Sequence, residues 1–243
     1  EPSKSFKKLK EKKFLKKIYN DFFKPELFFD EKIDFLSAIG VVEHVPNPKR
    51  FLLDIKKIMH DSSFLLIEIP NFSNNKADLL TIDHLSKFTE ESFLNLLSIC
   101  GLKLVKKQVL KSVPMQFIVQ KGITDELIED FDVSEIVNDS VLYLRNAFKT
   151  GKTIQGQTIA VYGQGLVLEY LVGSNILNHK QIECIIDDNI MYQGKLWKKK
   201  IDIKSFDEFS FETGVNVVFL AMNDCYHEKV LSKITKFNFS VYR

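Results

Sequence analysis

Short apolar runs separated by segments of helical periodicity constrain the fold of this chain more than any other feature of its sequence. Residues 32–42, 64–70 and 158–163 have the continuous apolar character of strands that are buried on both faces of a sheet. Apolar residues recur at helical spacing after two of these runs, at residues 51–59 and 166–177. Strands that alternate with helices at this rhythm predict parallel βαβ units with right-handed crossovers, and therefore an α/β protein.

The alternation of strands and helices restarts after the middle of the chain, which predicts two α/β units in series. We predict the first unit over residues 1–120, a helical connector over 121–155 and a second, smaller unit over 156–243. A chain of 243 residues has room for one or two domains of ordinary size. The two units show no internal repeat, so each is interpreted by itself.

Different secondary-structure elements are predicted at the start and at the end of the first unit. A helical pattern over residues 3–17 leads into a short predicted strand near Ile18 and Tyr19. At the other end, two predicted strands at 102–110 and 115–120 are expected to form an antiparallel pair. The order of elements is therefore that of a mostly parallel sheet closed by an antiparallel hairpin.

Composition and charge exclude several classes of partner. The 34 basic and 32 acidic residues leave a net charge of +2, which gives no general attraction to nucleic acid or to membranes. Cys100, Cys184 and Cys225 are far apart and form no metal-ligand spacing, so no metal site is predicted and a cytoplasmic location is expected. No apolar run reaches the roughly 18 residues of a membrane span. We expect a small-molecule partner, and edge strands in the second unit leave a homodimer open.

Residues 32–71 carry the most specific motif in the chain. The segment KIDFLSAIGVVEHVPNPKRFLLDIKKIMHDSSFLLIEIPN resembles the fourth strand, the following helix and the fifth strand of class I S-adenosylmethionine-dependent methyltransferases. It departs from the family at residues 61–63, a surface turn where the family has a proline-glycine-rich one. The positions that match the family pattern are Asp34, Glu43, His44, Val45, Pro48, Leu52, Glu68, Pro70 and Asn71.

The resemblance implies a class I methyltransferase sheet that lacks its first strand, with S-adenosylmethionine as cofactor. The opening EPSKSF resembles a segment of a sugar methyltransferase subgroup in which an acid binds the ribose hydroxyls, and Glu1 matches that acid. Asp21 matches a position that contacts adenine, although an exposed turn acid is an equal alternative, and Phe22 is either an adenine contact or a core residue. The cofactor-binding residues implied are Glu1, Ser3, Asp21, Phe22, Ala38, Ile39, Gly40 and His44.

A third stretch, DHLSKFTEESFLNLLSICGL, resembles the family's loop over the acceptor site. A sugar C-methyltransferase subgroup has Tyr-His-Glu-His here, whereas this chain has Thr-Ile-Asp-His at residues 81–84. The missing tyrosine counts against methylation of carbon, and methylation of oxygen or nitrogen stays open. His84, His44 and Asp83 are the catalytic candidates, since a histidine can accept a proton near neutral pH. Each residue also has a structural alternative. His44 would cap a helix or fill a packing position, His84 would anchor its own loop by a hydrogen bond, and Glu43 would hold that loop by hydrogen bonds to its backbone.

The second unit opens with a partial dinucleotide fingerprint. VYGQGLVLEYL contains a strand, a Gly-x-Gly turn and a helix, but Leu168 stands where a third glycine would complete the motif. The stretch from YGQG to CIIDDN also resembles the C-terminal domain of sugar C-methyltransferases and the nucleotide-sugar-binding domain of sugar acyltransferases. The resemblance implies substrate binding, and a tight turn without ligand is the alternative. The implied substrate-binding residues are Gly163, Gln164, Gly165, Asp187 and Asp188.

Together these resemblances predict a methyltransferase that acts on a sugar or nucleotide-sugar in polysaccharide or secondary-metabolite synthesis. The family's glycine-rich loop follows a first strand that this sequence does not contain, and the chain starts at Glu1 rather than Met, so we expect upstream sequence. The alternative is a non-catalytic nucleotide-sugar-binding or assembly module with a degenerate methyltransferase half. An NAD-dependent enzyme built on the second unit is a weaker third hypothesis.

Overall fold

Two β-sheets organise the protein in the computed structural model, which describes residues 6–109, 114–123, 132–212 and 214–243. The first sheet has four strands in the order β1-β2-β4-β3, and only β1 and β2 run parallel, because β3 and β4 return as an antiparallel hairpin. The elements of this part are α1 (Phe6–Leu9), β1 (Ile33–Ile39), α2 (Pro48–Ile58), β2 (Met59–Pro70), α3 (Glu90–Ile99), β3 (Leu102–Val109) and β4 (Pro114–Lys121).

Local sequence signals explain where the helices of the first sheet begin and end. The side chain of Asn47 accepts a hydrogen bond from the backbone N–H of Arg50, and Pro48 stands in the first turn of α2. Thr89 and Ser92 form a reciprocal capping box at the start of α3. Gly101 follows α3 with a φ of +64°, the left-handed conformation that ends helices. These helices lay apolar faces on the sheet, and the core contains Leu52, Ile55, Leu65, Ile67, Phe93, Leu97 and Phe117.

The second sheet has six strands in the order β10-β9-β5-β6-β8-β7. All pairs are parallel except β7 with β8, which form a short antiparallel pair at one edge. Both faces are buried, as expected for parallel strands covered by helices. The elements are α4 (Ser134–Thr153), β5 (Ile159–Tyr162), α5 (Leu166–Gly173), β6 (Ile182–Ile186), β7 (Leu196–Trp197), β8 (Ile201–Lys204), α6 (Phe206–Glu212), β9 (Val217–Leu220), α7 (His227–Ile234) and β10 (Ser240–Tyr242).

The segment after β2 joins the two sheets. It forms two short 3-10 helices, Phe72–Asn74 and Lys76–Leu80, and Ala77 is buried in the hydrophobic core of the second sheet. The side chain of Asn223, just after β9, accepts a hydrogen bond from the backbone N–H of Ala77 at 3.0 Å. Lys76 forms an ion pair with Asp224 at 2.7 Å. The segment therefore follows a strand of the first sheet in the sequence, but it packs against the second sheet.

The expected α/β architecture with two sheets is observed, but the first sheet is mixed rather than mostly parallel, because one of its three described strand pairs is parallel. The prediction was also wrong at the start of the chain. Helix α1 (Phe6–Leu9) ends at Leu9 rather than at residue 17, and no strand forms at residues 18–19. Apolar residues here are too sparse among lysines to build a buried face, and the Phe14 side chain is exposed. The antiparallel pair, predicted at 102–110 and 115–120, is confirmed at β3 and β4.

The second sheet also differs in detail from the predicted run of parallel units. Strands β7, β8 and β10 and helix α6 were not predicted, since each is short and has weak periodicity. The domain boundaries at 1–120, 121–155 and 156–243 stay a prediction. Within the described residues, no helix is both long and apolar enough to cross a membrane.

Candidate functional site

The carboxyl end of β1 carries the first group of functional side chains. Gly40 continues the ladder by donating its N–H to the carbonyl of Glu68 at 3.0 Å, and then turns the chain with a φ of +62°. The 3-10 helix Val42–His44 follows at once and carries Glu43 and His44. Glu43 is buried, with 3% of its surface exposed, whereas the His44 side chain is 37% exposed. This turn therefore presents one buried acid and one accessible imidazole at the end of a parallel strand.

A second loop brings His84 against His44. The two imidazole rings meet edge to face, with centroids 4.7 Å apart and planes inclined by 76°. Nδ1 of His84 lies 2.7 Å from Oδ1 of Asp78, and Nδ1 of His44 lies 2.9 Å from the carbonyl oxygen of Asp83. The loop is anchored to the first turn by the N–H of Ser86, which donates to the carbonyl of Glu43 at 3.1 Å. We call Glu43, His44, Asp78 and His84 the histidine cluster.

The electrostatics of the histidine cluster are set by buried carboxylates. Burial raises the pKa of Glu43, and the nearby carboxylate of Asp78 adds to the rise, while His44 and His84 oppose it. Oε2 of Glu43 is buried without a hydrogen-bond partner among the described residues. Asp78 is also buried, but it has partners in His84 and in Lys87, whose Nζ lies 3.7 Å from Oδ2 of Asp78. A buried acid with one oxygen unsatisfied favours a bound cation or proton.

The candidate cofactor residues fall into three groups. Ala38, Ile39, Gly40 and His44 lie together at the end of β1, where Ala38 is buried and Ile39 is 55% exposed. The carboxylate of Asp21 forms an ion pair with Lys24 and accepts a hydrogen bond from the N–H of Phe22, which fits the turn-acid alternative. The Phe22 side chain is exposed rather than in a core. Glu1 and Ser3 lie outside the described residues.

Of the catalytic candidates, the structure brings His44 and His84 into direct contact, while Asp83 acts through its backbone. The Asp83 side chain is 77% exposed, and its carboxylate is 3.6 Å from Nδ1 of His44. Its carbonyl oxygen is the closer contact at 2.9 Å. The sequence left open that the Glu43 side chain holds this loop. In the structure the loop is held instead by the main-chain carbonyl of Glu43, which accepts a hydrogen bond from the N–H of Ser86.

A cavity of about 770 Å³ lies over the carboxyl ends of β5, β6 and β9. The chain leaves β5 toward β6 on one side and returns to β9 on the other, so this edge is a switch point of the strand order, where α/β sheets bind ligands. Gly163 turns the chain there with a φ of +91°, and an added Cβ would lie 3.1 Å from Cε of Met222. Only glycine fits both this conformation and this approach.

All five predicted substrate-binding residues line this cavity: Gly163, Gln164, Gly165, Asp187 and Asp188. Asp187 accepts hydrogen bonds from Nε2 of Gln164 at 3.1 Å and from the N–H of Asn189 at 2.8 Å. Asp188 accepts one from the hydroxyl of Tyr162 at 2.7 Å and forms an ion pair with Lys233 at 2.6 Å. Burial opposes ionisation of Asp188, but the hydrogen bonds from Lys233 and Tyr162 prevail and lower its pKa. Burial and the bond to Asp188 raise the pKa of Tyr162.

Two residues from the first part of the chain complete the cavity wall. Asn75 and Ala77 line it beside Asn223, and Nδ2 of Asn223 donates to Oδ1 of Asn75 at 2.7 Å. Asn75 also reaches the histidine cluster, because its Nδ2 donates to Oδ1 of Asp78 at 3.3 Å. None of the histidine-cluster residues lines the cavity, so the two sites are neighbours that share the segment between them.

Sequence reasoning missed Asp78, Asn75 and Asn223. Asp78 lies six residues before His84 in a polar loop, and an acid near a histidine in sequence is too common to identify a pair. Asn75 and Asn223 are 148 residues apart, and no local pattern reports such a contact. Glu43 was recognised as part of the motif, but its burial beside both histidines became visible only in three dimensions.

Comparison with known proteins gives a distant structural likeness. No protein-family model and no curated protein sequence matches the chain. A SAM-dependent methyltransferase of Thermotoga maritima, described as a possible histamine N-methyltransferase, aligns at 16% identity over 38% of this chain and 57% of its own, with a TM-score of 0.33. A S-adenosylmethionine-dependent methyltransferase of Clostridium acetobutylicum aligns at 9% identity over 38% of this chain and 60% of its own, also with a TM-score of 0.33.

A putative type 11 methyltransferase of Sulfolobus solfataricus aligns at 14% identity over 53% of this chain and 71% of its own, with a TM-score of 0.36. The chain spans less than two thirds of the Thermotoga and Clostridium proteins. It is thus distantly similar to SAM-dependent methyltransferases over part of its length. Similarity at this level carries no argument about activity.

Proposed function

We propose that the protein is an S-adenosylmethionine-dependent methyltransferase that acts on a sugar or nucleotide-sugar. The observation that carries the proposal is the meeting of Gly40, His44 and His84 at the carboxyl end of β1. These residues come from two separate segments, each of which resembles that family in sequence. Ligands of sheets that contain parallel βαβ units bind at this edge.

The residues at the end of β1 fit the cofactor. Gly40 carries no side chain that would block a ligand from its backbone, and an added Cβ would make an ordinary contact with Oε1 of Glu43 at 3.8 Å. β1 is an edge strand of the described sheet, and the backbone of an edge strand can pair with a further strand such as one that carries a glycine-rich loop. S-adenosylmethionine bound at the end of β1 would supply a methyl group on its sulfonium. Glu1 is the residue proposed to hold the ribose of the cofactor.

His84 is the proposed base for the acceptor. The Asp78 carboxylate accepts only, so Nδ1 of His84 carries a proton and Nε2 has the lone pair that can take a proton from a hydroxyl or amine. The same carboxylate orients the ring and stabilises the imidazolium that forms. The carbonyl of Asp83 holds the ring of His44 in the same way.

The cavity at the end of β5 is the proposed site for the nucleotide part of the acceptor. Its volume lies in the range of small-molecule sites, and the turn Gly163–Gly165 precedes helix α5, whose N-terminal N–H groups favour a phosphate. Lys229 adds a positive charge to the wall, and Asp187 offers acceptors to sugar hydroxyls. Asn75 connects this site to the histidine cluster, which suits an acceptor that spans both.

Calorimetric titration with S-adenosylhomocysteine tests the proposal, with the protein carrying any residues that its gene encodes ahead of Glu1. We expect saturable binding, and transfer of a labelled methyl group to a nucleotide-sugar. The absence of binding at millimolar ligand would refute the methyltransferase assignment.

A second candidate function is a non-catalytic nucleotide-sugar-binding module, favoured by a cavity that stands apart from the histidine cluster. Titration with uridine and thymidine diphosphates discriminates the two. Nucleotide binding without any S-adenosylhomocysteine binding would support the module, whereas binding of both ligands would support the enzyme.

A further inference from the structure

Three potential metal ligands meet in the histidine cluster. One ligand atom each from Glu43, His44 and His84 can be chosen so that all lie within 4.8 Å of one another. They come from two loops separated by about forty residues, so their approach results from the tertiary fold. Two imidazoles and a carboxylate are a ligand set that catalytic zinc sites use.

The hydrogen bonds of both histidines leave the same nitrogen available. Nδ1 of His84 faces a carboxylate oxygen of Asp78, and Nδ1 of His44 faces the carbonyl of Asp83, and both oxygens are acceptors only. Each Nδ1 therefore carries the proton, and each Nε2 keeps a lone pair. Metal-bound histidines are oriented by this kind of contact through the nitrogen that does not bind the metal.

One buried carboxyl oxygen of the cluster, on Glu43, is left without a partner in the described part of the chain. Its Oε2 is buried and has no hydrogen-bond partner among the described residues, although the residue is only 3% exposed. The nearby cation, Lys87, is engaged elsewhere: its Nζ donates to the carbonyls of Thr81 and His84 and lies 3.7 Å from Asp78. A divalent cation between Glu43 and the two Nε2 atoms would supply the missing partner.

We propose that Glu43, His44 and His84 bind a divalent transition-metal ion, with zinc as the best match to this ligand set. Metal–ligand bonds of about 2.0–2.2 Å require the three atoms to draw together from their present spacing. The His44 side chain, which is 37% exposed, has the freedom to make this movement and leaves a path for the ion. Three protein ligands leave a coordination position open for water or substrate.

An ion here changes the chemistry of the proposed methyl transfer, and this part of the inference rests on the proposed function. A hydroxyl of the acceptor at the open position would lose its proton to solvent more readily, because the cation stabilises the negative charge on oxygen. The two Nε2 atoms then serve as ligands rather than bases. Metal binding itself requires neither cofactor nor acceptor.

Calorimetric titration of the chelator-treated protein with Zn²⁺ tests the site, without cofactor or acceptor present. We expect one ion per chain in this site, and affinity about ten-fold weaker or worse in Glu43→Gln and in His84→Ala. The controls are His179→Ala, an exposed histidine outside the cluster, and Cys225→Ser, a partly exposed thiol, and both should bind as the parent does. A shift of the melting temperature on adding Zn²⁺ provides a second readout that also reports whether each variant is folded.

The outcomes separate the two proposals. Zinc affinity and melting shift that are unchanged in Glu43→Gln and His84→Ala, or a parent protein that binds no zinc, would overturn the metal site and leave the methyltransferase proposal standing with His84 as base. Zinc binding that depends on these residues in a protein that does not bind S-adenosylhomocysteine would support the metal site and remove the methyltransferase.

Discussion

Hydrogen-bond partners give the histidines of this protein different chemical properties. His44 and His84 each direct Nδ1 to an oxygen, and their side chains are 37% and 15% exposed. His227 instead directs Nε2 to the carbonyl of Met222 at 3.0 Å and is 7% exposed. Reactivity at residue scale is therefore set by which nitrogen is engaged and by how much water reaches the ring.

Replacement of His84 tests the proposed chemistry at this scale. His84→Ala is expected to lower turnover by about a hundred-fold or more, the usual contribution of a positioned base or ligand, while the affinity for S-adenosylhomocysteine changes little. Steady-state kinetics and calorimetry measure the two quantities, with His179→Ala as the matched control. Unchanged turnover would remove His84 from the catalytic residues.

Because His227 is buried, we expect the free energy of unfolding of the protein to depend on pH. Burial lowers the pKa of His227 below the ordinary value of about 6.5, outweighing the hydrogen bond to Met222 and the charge of Asp224, and Arg243 lowers it slightly further. Between the folded and unfolded pKa values the unfolded chain binds more protons, so the free energy of unfolding falls as pH drops below about 6.5. Above that pH the contribution is fully present.

Urea unfolding at about pH 7.5 and 5.5 measures this dependence. His227→Gln keeps a donor for the carbonyl of Met222 but does not titrate, so it should lose less stability than the parent over the same interval. An identical loss in both proteins would show that His227 does not contribute.

At the scale of elements, the turns that follow β1 and β5 place the two sites. Both use glycine with positive φ, +62° at Gly40 and +91° at Gly163, at the carboxyl end of a parallel strand. Their surroundings differ: an added Cβ would make an ordinary contact with Oε1 of Glu43 at Gly40, but a tight contact with Met222 at Gly163.

This difference predicts unequal costs of an added methyl group. Gly40→Ala should destabilise by about 1–2 kcal/mol through backbone strain alone. Gly163→Ala should cost about 1–3 kcal/mol more, because its Cβ would lie 3.1 and 3.3 Å from side-chain atoms of Met222. Urea denaturation measures both, and Gly173→Ala, at a helix end with open space, should cost nothing. Equal destabilisation at Gly40 and Gly163 would contradict the role of Met222.

Elements with strong local signals were predictable from sequence, and those without them were not. Thr89 and Gly101 mark the ends of α3, and both can be recognised from sequence because capping and left-handed turns depend on neighbouring residues alone. β7 and β8 are held in place by the rest of the sheet, so their two to four residues carry too little pattern to recognise. The same applies to residues 18–19, where an apolar pair resembles a strand but is too short to indicate one reliably.

At the scale of the whole molecule, the segment 72–80 couples the two sheets and the two candidate sites. Ala77 is buried in the second core, and the Asn223 side chain holds its backbone N–H. Asp78 follows Ala77 directly and lies 2.7 Å from Nδ1 of His84, so packing against the second sheet helps to position the histidine cluster beside the first sheet. Neither site is built by one sheet alone.

Removing the Asn223 side chain should uncouple the two parts. Asn223→Ala leaves the N–H of Ala77 without its acceptor, at a cost of about 1–3 kcal/mol. Trp197, the single tryptophan, is buried in the second part, so its fluorescence follows that part while circular dichroism follows both. In urea we expect coincident midpoints for the parent and separate midpoints for the variant. Asn238→Ala, at an exposed position, is the control, and coincident midpoints in Asn223→Ala would contradict the coupling.

The sequence by itself determined the α/β class, the main strands and helices, and the glycine turns and acids at strand ends, because periodicity, capping and backbone conformation depend on residues close together in the chain. It also placed His44 and His84 in segments of one family resemblance. Only the tertiary structure decided that Glu43 is buried between them, that Asp78 orients His84, and that Asn75 and Asn223 meet across 148 residues. Those contacts depend on how one loop packs against a distant sheet, and packing of that kind has no local signature.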